Sequence, residues 1–336
     1  MNKKVNRNLL TTFVISSLSV STITEACSNV FWNSPQGAVV TRTMDWMEST
    51  KPLLLKVAAG EKRNFHGAET GDKEYTVKNS FLAIGGYGKL VGEGVNEHGL
   101  QASVQYYRGM ALEKGDGNTL SQNELAGYFL ANFDNVEQVI DNVKDIEVGL
   151  TTIPGMQEPP RWHYIVSDVS GDRAVIQYDE NGVNIYRGDD AQVVTNTSQK
   201  DLNEAWAEKS QQLKEFGGYG SQFQLEAGNT DSEQRYVFAK YFVSQLQNAT
   251  SPKHAMMSVE GTAFKVPQQA AYRPQDGMNT YATEYTITYN LDSGDVVFKY
   301  MGDDWSQREW NFKDLLESDQ RIEVPLYGRG SSMKVF

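Results

Sequence analysis

Thr24-Glu25-Ala26-Cys27-Ser28-Asn29-Val30-Phe31-Trp32, followed after one turn by Arg42-Thr43-Met44-Asp45-Trp46, is the stretch on which the interpretation of this chain depends. Upstream of it, Lys3, Lys4 and Arg7 form a basic start, and Leu9 to Val20 is a short apolar run broken by Thr and Ser. Ala26 offers a small residue at a cleavage position, with Thr24 two before it. This is the pattern of a secretion signal. Residues 1–26 are therefore expected to be a signal peptide, and residues 27–336 a single mature domain that begins with Cys27 and is periplasmic or secreted. Cys27 is the only cysteine. An exported protein normally pairs its cysteines or discards them, so a lone thiol at the new N-terminus points to a task.

A thiol attacks a carbonyl as thiolate, and its ordinary pKa is about 8.5. A cysteine that starts a chain brings its own base, because a free α-amine has a pKa of about 7.7–8.0 and is partly neutral near pH 7. The amine takes the thiol proton and later returns one to the leaving amine. No histidine is needed, and His66, His98, His163 and His254 sit in no recognisable catalytic motif. Cys27 has other readings. It is the lipid-bearing residue of a non-enzymatic periplasmic lipoprotein, although Thr24 and Glu25 replace the usual apolar approach to such a site. It is an ordinary buried cysteine. Or it is the nucleophile of a papain-like protease, which would need His163 or His254 as base.

Arg42 is a candidate to stabilise the thiolate, since a nearby cation favours the charged form. Asp45 is a candidate to hold the α-amine by a charge-assisted hydrogen bond. On a strand, Arg42, Met44 and Trp46 point one way, and Thr43 and Asp45 the other. Service to one thiol thus requires the strand to end or bend near Met44. The plainer reading is a surface Arg/Asp pair at a strand end.

The rest of the chain alternates between strands and helices. Strands are expected over 29–32, 38–43, 53–57, 81–84 and 101–107. Ser121-Gln122-Asn123-Glu124 suggests a capping box that opens a helix toward Phe133, and 135–146 suggests a second helix. Strands 162–168 and 173–179 form a hairpin, followed by a short strand at 192–195. Helices are expected over 202–216 and 232–247, and a late hairpin joins 283–291 to 295–300. Strands, a helix pair, strands, a helix pair and strands predict an α+β fold of two stacked sheets with helices outside.

The chain has 336 residues, 39% hydrophobic and 11% aromatic, and a formal net charge of −12, enough for one packed core and too acidic for nucleic acid. No run long enough to span a membrane is present. No zinc spacing appears, and the chemistry above calls for no cofactor.

Cys27 after a small residue, with Arg42-Thr43-Met44-Asp45-Trp46, resembles the choloylglycine hydrolase family, which includes bile salt hydrolases and penicillin V acylases. Gly94-Val95-Asn96-Glu97-His98-Gly99-Leu100 resembles that family's Gly-Met-Asn-Glu-Lys-Gly-Leu segment. Val194-Thr195-Asn196 is similar to its strand ending in Thr-Asn. Asn229-Thr230, with Ser232-Glu233-Gln234-Arg235-Tyr236, is similar to the helix start bearing its late arginine. The resemblance implies a four-layer αββα sandwich of N-terminal-nucleophile hydrolase type with two mainly antiparallel sheets. It implies Cys27 as nucleophile, Arg42 and Asp45 as its polar support, and Arg235 completing the charged site. It also implies an oxyanion site built from the Asn196 side-chain amide and the Tyr106 backbone N–H. The resemblance implies a small-molecule amide substrate and leaves open a homo-oligomer, dimer or tetramer. Thr195-Asn196-Thr197-Ser198 lacks the family's usual proline after Thr-Asn-Ser. The stretch from Asn196 to Arg235 is also shorter than the tetramer-building loop of Gram-positive members. Both features, and Trp46 directly after Asp45, resemble the Gram-negative branch. Its acylases favour aromatic acyl groups and often cleave acyl-homoserine lactones, although position 106 there is often Trp where this chain has Tyr106.

Met44, Trp46, Tyr106 and Tyr107 are candidates to line an apolar acyl pocket; each is as readily a core residue. The expected substrate is an amide with an apolar or aromatic acyl group, of penicillin V or acyl-homoserine lactone type. A conjugated bile salt is the alternative.

Overall fold

A computed structural model describes residues 27–66, 73–215, 231–268 and 281–328. The predicted signal peptide and Asn229-Thr230 lie outside them. The alternating apolar runs pair into two large antiparallel sheets. The first has six strands, in the order Val193–Val194 (β14), Asn29–Ser34 (β1), Gly37–Asp45 (β2), Thr283–Asn290 (β15), Asp295–Tyr300 (β16) and Ser306–Asn311 (β17). The second has eight, in the order Gly182–Arg187 (β13), Arg173–Asp179 (β12), Trp162–Ser167 (β11), Gln101–Tyr106 (β8), Leu90–Asn96 (β7), Phe81–Gly86 (β6), Leu53–Val57 (β3) and Glu323–Pro325 (β18). Two small pairs join Lys62–Asn64 (β4) to Glu74–Thr76 (β5), and Leu120–Ser121 (β9) to Val148–Gly149 (β10).

Val40, Leu54, Leu82, Ile84, Val95, Ile287 and Phe298 fill the space between the sheets. Leu125–Asn132 (α1) and Val136–Asn142 (α2) cover the outer face of the eight-stranded sheet, with Phe129 and Leu130 packed against Val91, Tyr164 and Ile176. Gln199–Glu215 (α3), Ser232–Ser244 (α4) and Pro252–Glu260 (α5) cover the six-stranded sheet, where Val30 and Val39 meet Tyr236, Met256 and Val259. Phe312–Glu317 (α6) follows β17. The layers therefore run helix, sheet, sheet, helix, as expected. No helix among the described residues is long and apolar enough to cross a membrane.

Two local expectations are corrected. Ser121 to Glu124 form no capping box: Glu124 precedes α1 without a side-chain cap. Its carboxylate is instead held by Arg63 Nε at 2.5 Å and Tyr75 Oη at 2.6 Å, which ties the β4–β5 pair to the helix. The expected helix over 135–146 stops at Asn142 and tightens into a 3₁₀ turn, Val143–Asp145. Gly94 to Asn96 belong to β7, and the turn proper is Glu97 to Gly99. Gly94 is needed for packing, because a Cβ there would lie 2.4 Å from Leu82 O and 2.8 Å from Leu130.

Candidate active site

The β1–β2 hairpin places the thiol. Asn29 is opposite Arg42, so Cys27 falls beside the last residues of β2. Thr43 N donates to Ser28 O at 2.9 Å, and Ser28 N donates to Thr43 Oγ1 at 2.9 Å. Asp45 N points at Cys27 Sγ from 3.4 Å, and the thiol donates to Asp45 O at 3.5 Å. Cys27 O accepts from Gln105 Nε2 at 3.1 Å and from Arg235 Nη1. The residue is thus clamped on both sides before any substrate arrives. Its burial is nearly complete, at 2% exposed.

Of the two alternatives, a strand that ends or one that bends near Met44, the structure shows the first: β2 ends at Asp45 and its alternation survives to that point. Arg42 Nη2 donates to Met44 Sδ at 3.2 Å on one face, and Thr43 Oγ1 donates to Asp45 Oδ2 at 3.1 Å on the other. Both residues serve Cys27 because it sits at the strand's end, where Arg42 reaches the sulfur and Asp45 meets it through its backbone. The partner strand β15 is bulged there: Thr283 faces Asp45 and Tyr285 faces Met44, leaving Glu284 as the extra residue. The register shift aims Thr283 Oγ1 at Asp45 Oδ1, 2.6 Å away.

The electrostatics follow from burial. Removal from water works against the Arg42 charge, but Glu93, Tyr285 and Cys27 outweigh it and hold the guanidinium above its ordinary value. Arg42 Nη1 donates to Glu93 Oε1 at 3.1 Å and to Gly92 O at 3.1 Å, and Tyr285 Oη donates to the same Glu93 oxygen at 3.0 Å. Burial also raises Glu93, with Arg42 and Tyr285 opposing. Asp45 is pushed up to about 7 by burial, against the pull of Thr283, Arg235, Thr43 and Arg42.

On the far side, Arg235 of α4 reaches Ser28 Oγ at 3.0 Å and Asn196 Oδ1 at 2.7 Å. Asn196 follows β14, and its backbone N–H donates to Ser232 Oγ at 2.9 Å. Its Nδ2 donates to Tyr106 O at 3.0 Å, which uses one of its two protons. Cys27, Arg42, Asp45, Tyr106, Asn196 and Arg235 are therefore gathered at one place from five elements and their ends.

Cys27 and Arg42 open onto a narrow pocket with about 50 Å³ of free space as the chain stands. Met44, Trp46 and Tyr106 line it, together with Leu90, Val104 and Trp162. Tyr107 is a correction. It lies just past the end of β8, and its ring stacks on His163, centroids 5.4 Å apart, inside the core. His163 is buried, which lowers it to about 3, and its Nδ1 meets Gln177 Nε2 at 2.9 Å. His254 lies on the outer helix α5, its Nδ1 at Thr250. Neither is placed as a base for Cys27, so the protease reading has no geometry behind it. Among the described residues no cluster of His, Cys, Asp and Glu would hold a metal ion.

Sequence reasoning missed Glu93, Thr283, Gln105, Tyr87 and Trp162. Glu93 carried a signal: a carboxylate in the middle of Leu90-Val91-Gly92-Glu93-Gly94-Val95 is out of place unless a buried cation awaits it.

A helix–sheet–sheet–helix sandwich whose central hairpin presents a thiol to a pocket is the architecture of N-terminal-nucleophile hydrolases. Among solved structures, penicillin V acylase from Agrobacterium tumefaciens superposes with a TM-score of 0.72 at 22% identity, covering 87% of this chain and 88% of that one. A variant of the conjugated bile acid hydrolase from Clostridium perfringens superposes with a TM-score of 0.73 at 16% identity, covering 92% and 99%. The sequence matches the linear amide C–N hydrolases of the choloylglycine hydrolase family over residues 27–309, and the chain belongs to that family. It is an amidohydrolase acting on linear amide C–N bonds. A relative named penicillin V acylase, from Pectobacterium atrosepticum, is 25% identical over 265 residues, 73% of this chain and 67% of that one. An uncharacterized protein of Paramecium bursaria Chlorella virus 1 is also 25% identical, over 292 residues, 82% of this chain and 98% of that one.

Proposed function

We propose that the chain is exported, cut after Ala26, and in its mature form hydrolyses amides with Cys27 as nucleophile. The freed α-amine takes the thiol proton and passes it to the leaving amine. Arg42 favours the thiolate and Asp45 holds the amine. The second Asn196 amide proton and the Tyr106 backbone N–H meet the oxyanion, and Arg235 fixes Asn196 against the Cys27 carbonyl. The family match that begins at residue 27 supports this start point.

The substrate proposed is an amide with an aromatic or apolar acyl group: penicillin V first, with N-acyl-homoserine lactones as further substrates. The observation that carries it is a thiol at the wall of a pocket faced by Trp46, Tyr87, Tyr106 and Trp162. Flat rings of this kind suit a phenoxyacetyl group or an alkyl chain. The name of the Pectobacterium relative points the same way.

The test is a hydrolysis panel on protein recovered from the periplasm or medium, with its N-terminus sequenced and its mass measured. A free Cys27 start and faster turnover of penicillin V and acyl-homoserine lactones than of glyco- and tauro-conjugated bile salts are expected. A different start, or a lipid adduct on Cys27, would overturn the mechanism. Preference for bile salts would move the substrate to the alternative.

A further inference from the structure

Beside the acyl pocket lies a second cavity of about 350 Å³, and the two share Tyr87, Leu90, Asn123 and Ile153 as walls. Cys27 and Arg42 face only the first. The linings differ in kind: the first is mostly apolar, whereas His66, Lys89, Asp116, Thr151 and Thr152 face the second. Asn123 is a fixed wall, since it accepts from Trp162 Nε1 at 2.8 Å and donates to Thr151 O at 3.1 Å. Tyr87 is a different kind of wall. It sits at the tip of the β6–β7 hairpin with φ of 47°, a left-handed conformation that a bulky residue rarely holds. Its hydroxyl accepts from Trp46 Nε1 at 2.6 Å and donates to Glu48 Oε1 at 2.6 Å, and Glu48 is exposed. A ring held by a strained backbone and one solvent-reachable latch is the wall that can yield.

We propose that the Tyr87 ring is a movable partition between the acyl pocket and this polar cavity, which receives the hydrogen-bonding far end of acyl chains too long for the pocket. The inference rests on the acyl-pocket reading above. Lys89 is already paired with Glu323 at 3.0 Å, and Asp116 offers the opposite sign. The cavity therefore suits an uncharged hydroxyl or carbonyl better than a net charge. The apolar stem of such a chain runs along the Trp46 and Trp162 rings, which touch each other with centroids 6.0 Å apart, and its polar end replaces water beyond Tyr87.

The test uses the mature enzyme with p-nitroanilides of phenoxyacetic, hexanoic, dodecanoic and omega-hydroxydodecanoic acids. Hydrolysis of the phenoxyacetyl compound by the wild type tests the acyl-pocket reading itself, and its absence would defeat that reading. Given that activity, Tyr87→Gly, which suits the left-handed backbone, should raise the dodecanoyl to hexanoyl ratio of kcat/KM about tenfold. Tyr87→Phe keeps the ring but cuts both latch bonds, and should raise the same ratio by a smaller factor. An unchanged ratio in both variants overturns the partition. Equal wild-type rates for the plain and hydroxylated dodecanoyl compounds overturn the polar end-site.

Discussion

Glu93→Gln separates charge from shape at the centre of the site. The Arg42–Glu93 pair is 3.1 Å apart, with side chains 3% and 0% exposed. Removing one partner of a buried pair strands the other charge, which costs about 3–5 kcal/mol. At roughly 2–4 °C per kcal/mol for a domain of this order of size, the melting temperature should fall by roughly 6–20 °C. Reactivity should move the opposite way. Glu93 is an anion that shares Arg42 with the thiolate, so its neutralisation leaves the guanidinium to the sulfur alone. Alkylation of Cys27 by iodoacetamide at pH 6–7 should quicken while the fold weakens. The assay is paired: thermal unfolding by circular dichroism, and single-thiol alkylation followed by mass. A variant with unchanged melting temperature and unchanged alkylation rate would mean that Glu93 is already protonated in the native protein, and the charge pair would be refuted.

Three further outcomes are expected. In protein with an extra residue before Cys27, Asp45 keeps a proton that the unfolded chain has lost between about pH 4 and pH 7, so this group makes stability fall as pH rises through that window. The loss is at most about 4 kcal/mol, and it should vanish in Asp45→Asn when melting temperatures at pH 4.5 and 7.5 are compared. Asn196→Ala should slow turnover by about 2.7–4 kcal/mol of barrier with substrate affinity little changed, as read by kcat against KM. The same extended protein should hydrolyse nothing until the extra residue is trimmed, since its amine is locked in a peptide bond; turnover by the untrimmed form would count against Cys27 as its own base.

The layer order and the long strands were legible because alternation over residues such as those of β2 and β15 is a strong physical signal. β7 was hidden because Gly92, Glu93 and Gly94 are poor strand formers, placed there for close packing and charge rather than propensity. The Ser121–Glu124 capping pattern misled because Arg63 and Tyr75 compete for Glu124, and no local pattern announces partners so distant in the chain. Of the site, the residues near Cys27 in sequence were readable, and the distant ones were reached through the family resemblance. Tyr107 was misplaced because β8 was expected to run to residue 107, whereas it ends at Tyr106 and the next ring turns into the core. Thr283 and Gln105 gave no local signal, since each matters only through what the folded chain lays against it.

β15 lies between β2 and β16, so the hairpin bearing the thiol has as its neighbour a strand from the last third of the chain. Asp45 is not held by Thr283, nor is Arg42's partner Glu93 held by Tyr285, until that late segment has threaded into place. Pairings of such long sequence separation form slowly. A polypeptide interrupted before residue 283 would carry the cysteine and its charged neighbours without the two hydroxyls that hold Asp45 and Glu93. The site is thereby complete only when both ends of the described chain have met in one sheet.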